Sequence, residues 1–174
     1  VFKGGTCLAK VHADFYRLSE DLDFVIPMEG EAPRSKRSNA MTGLKETMAA
    51  VSRNLSAFHP IAPLTGANNS TQYVAVLGYT SLLTAQVETV KIDIGLREPL
   101  LTPPVSTSAH TVLLDPISDR ELVEPVPVTC ISRIEAFAEK FRAALSRREA
   151  AIRDFFDLDY AVRKLGLDPA DADL

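Results

Sequence analysis

The sequence predicts an α+β fold on three observations. Short segments with alternating or continuous apolar residues, typical of strands, occur at 21–26, 72–79 and 85–96. Apolar residues recur every three or four positions across 41–58 and 132–166, as on one face of a helix. Strands that are neighbours in the sequence, with helices before and after them, favour the α+β class.

Residues 2–26 predict the end of a strand, a short helix and a second strand. Residues 2–3 run into a Gly-Gly pair, which is typical of the end of a strand. Thr6 is a candidate N-cap for a short helix over 7–15. Segment 21–26 predicts a strand that enters a core and ends at Pro27, because proline cannot donate to a central ladder.

Residues 27–71 predict one long helix between two irregular connections. Residues 27–39 are polar and predict a loop. The amphipathic pattern from Met41 to Phe58 predicts a helix that ends before Pro60, since the position before a proline disfavours helix. The Gly- and Asn-rich stretch 60–71 predicts a turn-rich connection.

The middle of the chain predicts two strands and a linker. In the strand at 85–96, alternation separates an apolar face from a face that carries Lys91 and Asp93. Residues 99–127 are rich in Pro, Ser and Thr, with one short apolar stretch at 112–114, and predict a linker that holds a short strand and a short helix.

The C-terminal part predicts helix from Ser132 to Gly166. Ser132 and Glu135 have the spacing of a capping box, and Gly166 is a candidate C-cap. Two apolar stripes recur at helical spacing: Ile134, Phe137, Phe141 and Leu145, then Ile152, Phe155, Phe156, Leu158 and Val162.

Composition excludes several classes of protein. The 174 residues are 46% hydrophobic, with no apolar run long enough to span a bilayer. A net charge of −4 argues against a basic nucleic-acid coat protein. The three histidines match no ligand spacing and are interpreted as incidental. The two cysteines lack zinc-ligand spacing and are interpreted as small buried residues, so a reducing cytoplasm is expected. The chain opens on Val1 without Met, and we expect that an N-terminal piece is missing.

Asp21 and Asp23 are the strongest candidates for chemistry. Alternation places both carboxylates on one strand face, about 7 Å apart. Like charges repel, and a divalent cation such as Mg²⁺ would compensate them. The alternative is a solvated strand face.

Gly4, Gly5 and Thr6 form a second candidate motif, because adjacent glycines let a backbone approach phosphate closely. The alternative is an ordinary turn. Asp93 could complete a two-metal site for phosphoryl displacement, or form a surface ion pair with Lys91.

The C-terminal helices carry a local excess of positive charge. From 131 to 165 there are eight Lys and Arg against six Asp and Glu. Lys140, Arg147 and Arg153 recur at near-heptad steps, which suits a triphosphate or an RNA backbone. The alternative is a solvated helix face, with Asp154 and Asp157 pairing with arginines between two helices.

These motifs together resemble the AbiEii/AbiGii-type nucleotidyltransferase toxin family. The matching segments follow the family's order and cover most of the chain: 3–8, 17–24, 73–79, 90–94, 139–147 and 153–158.

The resemblance implies a polymerase-β-like nucleotidyltransferase core with a small mixed sheet, followed by C-terminal helices. It divides the chain into a core at 1–98, a linker at 99–130 and a helical part at 131–174 that completes the active site. It implies a Mg²⁺-dependent, cytoplasmic prokaryotic enzyme that transfers a nucleoside monophosphate from an NTP to RNA, in particular tRNA, and that is paired with an antitoxin.

The resemblance also implies roles for single residues. Asp21, Asp23 and Asp93 would be catalytic metal ligands, with Asp93 orienting or deprotonating the attacking hydroxyl. Asp154 would complete the last catalytic motif. The substrate-binding residues would be Gly4, Gly5, Thr6, Arg17, Lys140 and Arg147. The alternatives are a non-catalytic nucleotide- or protein-binding relative and another phosphoryl-transfer enzyme.

Overall fold

A computed structural model describes residues 1–14, 17–29, 31–96 and 99–170. The strands in these ranges are β1 (Phe2–Lys3), β2 (Leu22–Val25), β3 (Phe58–Ala67), β4 (Gln72–Thr80), β5 (Val87–Gly95), β6 (Val105–Ala109) and β7 (Val126–Cys130). The α-helices are α1 (Gly4–Cys7), α2 (Arg34–Ala40), α3 (Thr42–Ala49), α4 (Val51–Asn54), α5 (Arg133–Ser146) and α6 (Ile152–Leu165). None of the described helices is both long and apolar enough to cross a bilayer.

The chain divides into two compact units, each made of two separate segments. Unit 1 contains Val1–Thr6 and Ser19–Leu100, and unit 2 contains Cys7–Leu18 and Leu101–Leu174. The predicted functional division at 98 and 130 stays a prediction.

Unit 1 is a mixed sheet with helices, as the sequence predicts. Its described strands lie in the order β3-β4-β5-β2-β1, and β2 pairs parallel to β5 while the other pairs are antiparallel. Alternate residues of β4 and β5 build the core, which is why Tyr73, Ile92, Ile94 and Leu96 are buried. The strands predicted at 72–79 and 85–96 are confirmed, with small changes at their ends.

The prediction of one helix over 41–58 is wrong. Three short helices occupy 34–54, and Phe58 begins β3. The predicted loop at 27–39 is also corrected, because α2 begins directly after Pro33. Arg37 of this helix is buried and donates hydrogen bonds to the carbonyl oxygens of Ala32 and Asn69, which fixes α2 against the end of β3.

The prediction of a turn-rich connection at 60–71 is wrong over most of its length, because β3 extends to Ala67. This strand contains Pro60 and Pro63, which argue against a central strand. β3 lies at the edge of the unit 1 sheet, where prolines are tolerated. Its pairing with β4 shifts register on either side of Ala62, so the ladder is interrupted where the prolines occur.

The first helix also differs from its prediction. Thr6 lies inside α1 and is not an N-cap. A π-helical segment, Leu8–His12, continues the helix within unit 2. Phe15, at the end of the predicted helix, lies outside the described residues.

Unit 2 contains the antiparallel pair β6–β7 and the helices α5 and α6. The described residues 99–127 contain no helix, contrary to the prediction. The apolar stretch at 112–114 is exposed and makes only an isolated bridge between Leu114 and Glu121.

The helix predicted from Ser132 to Gly166 is divided by a break at 147–151. The predicted caps form at both ends: the Ser132 hydroxyl accepts from the Glu135 backbone N–H at 3.1 Å, and Gly166 adopts φ 67°. The Glu135 side chain does not complete the capping box. It accepts hydrogen bonds from Leu101 and Thr102, so it ties the start of α5 to the preceding chain.

Helical spacing predicts a stripe of apolar residues on α6, and this stripe faces solvent. Ile152 is 85% exposed and Phe156 is 50% exposed, whereas Asp154 and Asp157 are fully buried. Helical spacing identifies the two faces of this helix, but the buried face is the acidic one.

Candidate active site

A row of charged residues crosses three neighbouring strands of unit 1. Lys3 on β1 pairs with Asp23 on β2, which pairs with Asp93 on β5. Directly paired residues project from the same face of a sheet, and adjacent strands are only about 4.8 Å apart. The parallel pairing of β2 and β5 therefore brings together two acids that are 70 residues apart in the sequence.

Asp93 is held by two side chains on the same face. Gln72 Nε2 donates to both carboxylate oxygens of Asp93 at 2.9 Å, and Lys91 Nζ lies 3.0 Å from Oδ2. Gln72 pairs with Gly95, which makes it a diagonal neighbour of Asp93. These contacts fix the carboxylate beside Asp23.

The environment of Asp23 disfavours its charged form. Burial raises the pKa of the Asp23 carboxyl, and the negative charges of Asp93 and Asp21 raise it further. Lys91 and Lys3 oppose this shift without cancelling it. Because placing like charges side by side costs stability, these acids are candidates for holding a cation or a ligand.

Asp21 lies just before β2 and is exposed. Its backbone carbonyl accepts a hydrogen bond from the Thr6 hydroxyl, which also lies 2.9 Å from the Ser19 hydroxyl. Thr6 is itself buried. The threonine of the Gly-Gly-Thr motif therefore anchors the segment that leads into the acidic strand.

Gly4 packs directly against Asp23. A Cβ placed on Gly4 would lie 2.8 Å from both Cβ and Cγ of Asp23 and would also overlap Oδ2. Gly4 has φ 76°, which side-chain-bearing residues rarely adopt. The glycine is thus required both for its backbone conformation and for the close approach of the backbone to the carboxylate.

We expect Gly4→Ala to lower the free energy of unfolding by at least about 1–2 kcal/mol, because it combines a left-handed backbone with a steric clash. Urea denaturation of the purified protein measures the effect. Gly43→Ala is the matched control: Gly43 lies in α3 with nothing within 4 Å of an added Cβ, so we expect it to be neutral or stabilising by up to about 1 kcal/mol. Equal stability of Gly4→Ala and the wild type would contradict the assigned packing.

The acidic row borders an open cavity within unit 1. Lys3, Asp23, Gln72 and Asp93 line it, together with backbone and apolar atoms of β2 and β5. Charged and amide groups therefore converge on a concave surface, the usual setting of a small-ligand site.

The acids of this site suit a hard divalent cation. Carboxylate oxygens are the ligands that Mg²⁺ prefers, and the raised pKa of Asp23 shows negative charge that its neighbours do not fully compensate. In the described residues, Asp21, Asp23 and Asp93 do not all lie within 4.8 Å of one another. The fit is therefore carried by the adjacent pair, Asp23 and Asp93, with Asp21 at the exposed end.

Unit 2 contains a second cluster, in which two fully buried aspartates on α6 bind cations from other segments. Lys140 Nζ on α5 lies 3.1 Å from Asp154 Oδ1 and 2.9 Å from Asp157 Oδ2. Arg17 holds Asp157 with two contacts of 2.6 and 2.8 Å, and Arg147 lies 3.1 Å from Asp154 Oδ2. The cluster joins α5, α6 and the segment around Arg17.

The predicted site residues thus fall into two sets. Unit 1 holds Gly4, Gly5, Thr6, Asp21, Asp23 and Asp93, and unit 2 holds Arg17, Lys140, Arg147 and Asp154. Two participants were not predicted as site residues, Gln72 and Asp157. Gln72 carries no local signal, since its role follows from strand register, whereas the three-residue spacing of Asp154 and Asp157 on a helix was available as a sign of a shared face.

Comparison with known proteins identifies a family and a fold. A family model described as "Nucleotidyl transferase AbiEii toxin, Type IV TA system" matches residues 1–174. Comparison with curated proteins returned no match.

Two crystal structures from Helicobacter pylori have a similar fold. JHP933 superposes with a TM-score of 0.56 at 16% identity, covering 94% of this chain and 58% of that chain. A protein provisionally described as a nucleotidyltransferase superposes with a TM-score of 0.55 at 17% identity, covering 94% and 60%. The chain therefore spans about 60% of the length of the solved structures that it matches.

Proposed function

The chain belongs to the AbiEii nucleotidyltransferase toxin family, and from that premise we propose that it transfers a nucleoside monophosphate from an NTP to an RNA acceptor, with tRNA as the preferred class. The observation that carries the proposal is the pairing of Asp23 with Asp93 on adjacent parallel strands, beside the Gly4 backbone. Two partly buried carboxylates next to the glycines that begin α1 suit a magnesium-bound triphosphate.

In the proposed reaction, a hydroxyl oxygen of the acceptor attacks the α-phosphorus of the NTP. The new phosphorus–oxygen bond forms as the bond to pyrophosphate breaks, and the hydroxyl proton passes to a carboxylate. Asp93 is suited to accept that proton because Gln72 and Lys91 hold its carboxylate in place.

Asp23, Asp93 and Asp21 are the residues that would hold Mg²⁺, which supplies charge neutralisation and orientation of the triphosphate. Asp23 is suited to this role by its low exposure to solvent, which strengthens its electrostatic interactions. Gly4 and Gly5 let the backbone approach the phosphates. The Thr6 hydroxyl donates a hydrogen bond to the backbone carbonyl oxygen of Asp21 and so holds Asp21 in position.

Unit 2 carries cations of its own, which we propose as phosphate-binding groups. Lys140, Arg147 and Arg17 are oriented by the buried carboxylates of Asp154 and Asp157, so they lose little side-chain freedom when an anion binds. Arg147 is the most exposed of the three, with 42% of its side chain accessible, and is the best placed to contact an anion from solvent.

A labelling experiment tests the proposed function. The purified protein is incubated with Mg²⁺, total RNA and each of the four NTPs, labelled at the α-phosphate in one series and at the γ-phosphate in the other. We expect α-label to enter RNA with release of pyrophosphate, while γ-label stays out of RNA. Transfer of γ-label would identify a kinase, and nucleotide binding without any transfer would identify a non-catalytic relative; either result contradicts the proposal.

The family also implies a partner, since it is a family of type IV toxin–antitoxin systems. We propose that an antitoxin protein opposes the activity of this chain in the cell and that both proteins act in the cytoplasm. Suppression of RNA labelling by the co-expressed neighbouring gene product would support the pairing.

A further inference from the structure

Two cysteines and a histidine that lie far apart in the sequence meet within unit 2. Cys7 is the last residue of α1, His12 ends the π-helical segment, and Cys130 ends β7. Their ligand atoms all lie within 4.8 Å of one another, and no other group of three such side chains does so among the described residues. Sequence spacing gave no sign of the cluster because Cys130 lies 118 residues from His12.

The surroundings of the cluster favour a bound ion over a surface coincidence. Cys7 and Cys130 have no exposed surface, and His12 is partly buried. The His12 Nε2 atom lies 3.8 Å from Cys130 Sγ and 3.0 Å from the carbonyl oxygen of Ile131.

We propose that Cys7, His12 and Cys130 form a Zn²⁺ site inside unit 2, separate from the nucleotidyltransferase residues of unit 1. Thiolate sulfur and imidazole nitrogen are the ligands that Zn²⁺ prefers, and three protein ligands with one remaining position are a common zinc arrangement.

The spacing fits a tetrahedral ion with little movement. Zinc–sulfur bonds of about 2.3 Å and zinc–nitrogen bonds of about 2.0 Å place neighbouring ligand atoms about 3.5–3.8 Å apart. Separations of at most 4.8 Å therefore need to contract by at most about 1.3 Å.

The binding step is balanced by proton release. Two thiol protons leave to solvent as two zinc–sulfur bonds form. His12 gives up the hydrogen bond from Nε2 to the Ile131 carbonyl oxygen, its proton moves to Nδ1, and Nε2 contributes the lone pair. Two thiolates cancel the charge of one Zn²⁺, so the occupied site is neutral, as its buried surroundings require.

The π-helical segment supports a functional role for the cluster. A π-helix is rare and is frequently found at functional sites, and its hydrogen bonds link residues five positions apart. Cys7 and His12 are five residues apart. The ion would thus join the segment 7–18 to the end of β7, the two separate pieces of chain from which unit 2 is built.

Metal uptake by the full chain tests the site. The protein is purified under reducing conditions, loaded with Zn²⁺ or Co²⁺, and passed through a desalting column in a mild competing chelator. We expect one equivalent of zinc per chain, and sulfur-to-cobalt charge-transfer absorption in the cobalt form. Cys130→Ser and His12→Gln should each weaken zinc affinity at least about 10-fold, since even outer-shell substitutions reach that size.

His110→Gln is the matched control, because His110 is exposed and pairs only with Glu121 among the contacts described. We expect it to keep full zinc affinity. Absence of stoichiometric zinc in the reduced wild type, or a cobalt spectrum without thiolate bands, overturns the proposal, and this holds even where a variant fails to fold. Unchanged affinity in both ligand variants overturns it equally.

Discussion

Asp23→Asn is expected to lower nucleotidyl transfer at least about 100-fold while leaving the protein as stable as the wild type or more stable. The substitution keeps the size of the side chain and removes a charge that burial and two neighbouring acids disfavour. Loss of activity with no loss of stability distinguishes a functional carboxylate from a structural one. Incorporation of α-labelled NTP and urea denaturation measure the two effects on the same preparation.

Glu88→Gln is the control for this prediction. Glu88 lies on β5, five positions before Asp93, and is exposed. An odd spacing places it on the opposite face of the strand from Asp93. We expect its activity to equal that of the wild type. Wild-type activity in both Asp23→Asn and Asp21→Asn would refute the assignment of the acidic site.

Asp157→Ala, in contrast to Asp23→Asn, is expected to lose stability. It should lower the free energy of unfolding by about 3–5 kcal/mol. Asp157 is fully buried and is the partner of both Arg17 and Lys140, whose side chains are only 18% and 13% exposed. Removing the carboxylate leaves two cations largely desolvated and without this compensating charge. The loss of stability is measured as a lower midpoint of urea denaturation, monitored by circular dichroism.

Asp159→Ala controls for position on α6. Asp159 also pairs with an arginine, Arg163, at 2.6 Å, but both side chains are more than half exposed. An exposed pair one helical turn apart contributes about 0.5 kcal/mol or less, so we expect almost no change. Similar losses in the two variants would show that the buried cluster does not hold unit 2 together.

Helical spacing and strand alternation predicted much of the candidate site before any contact was known. Alternation in β2 and β5 marked Asp23 and Asp93 as residues on polar faces, and the caps of α5 and α6 were readable from Ser132 and Gly166. Such signals succeed because they depend on neighbours within a few positions along the chain.

The same reasoning failed where an edge or a partner decided the outcome. Pro60 and Pro63 argue against a strand, yet both lie in β3, because an edge strand can leave their missing N–H groups unpaired. On α6 the apolar stripe is exposed and the aspartates are buried, since cations from α5 and the segment around Arg17 neutralise them.

The sequence by itself determined the α+β class, the acidic strand and the membership of a nucleotidyltransferase toxin family. Only the tertiary structure decided that Asp23 lies beside Asp93, that Gln72 holds Asp93, and that two cysteines and a histidine meet in unit 2. The physical reason is the distance along the chain over which each kind of interaction acts. Periodicity and capping act over one or two turns of chain, whereas strand register and the packing of distant segments bring together residues that no local pattern connects.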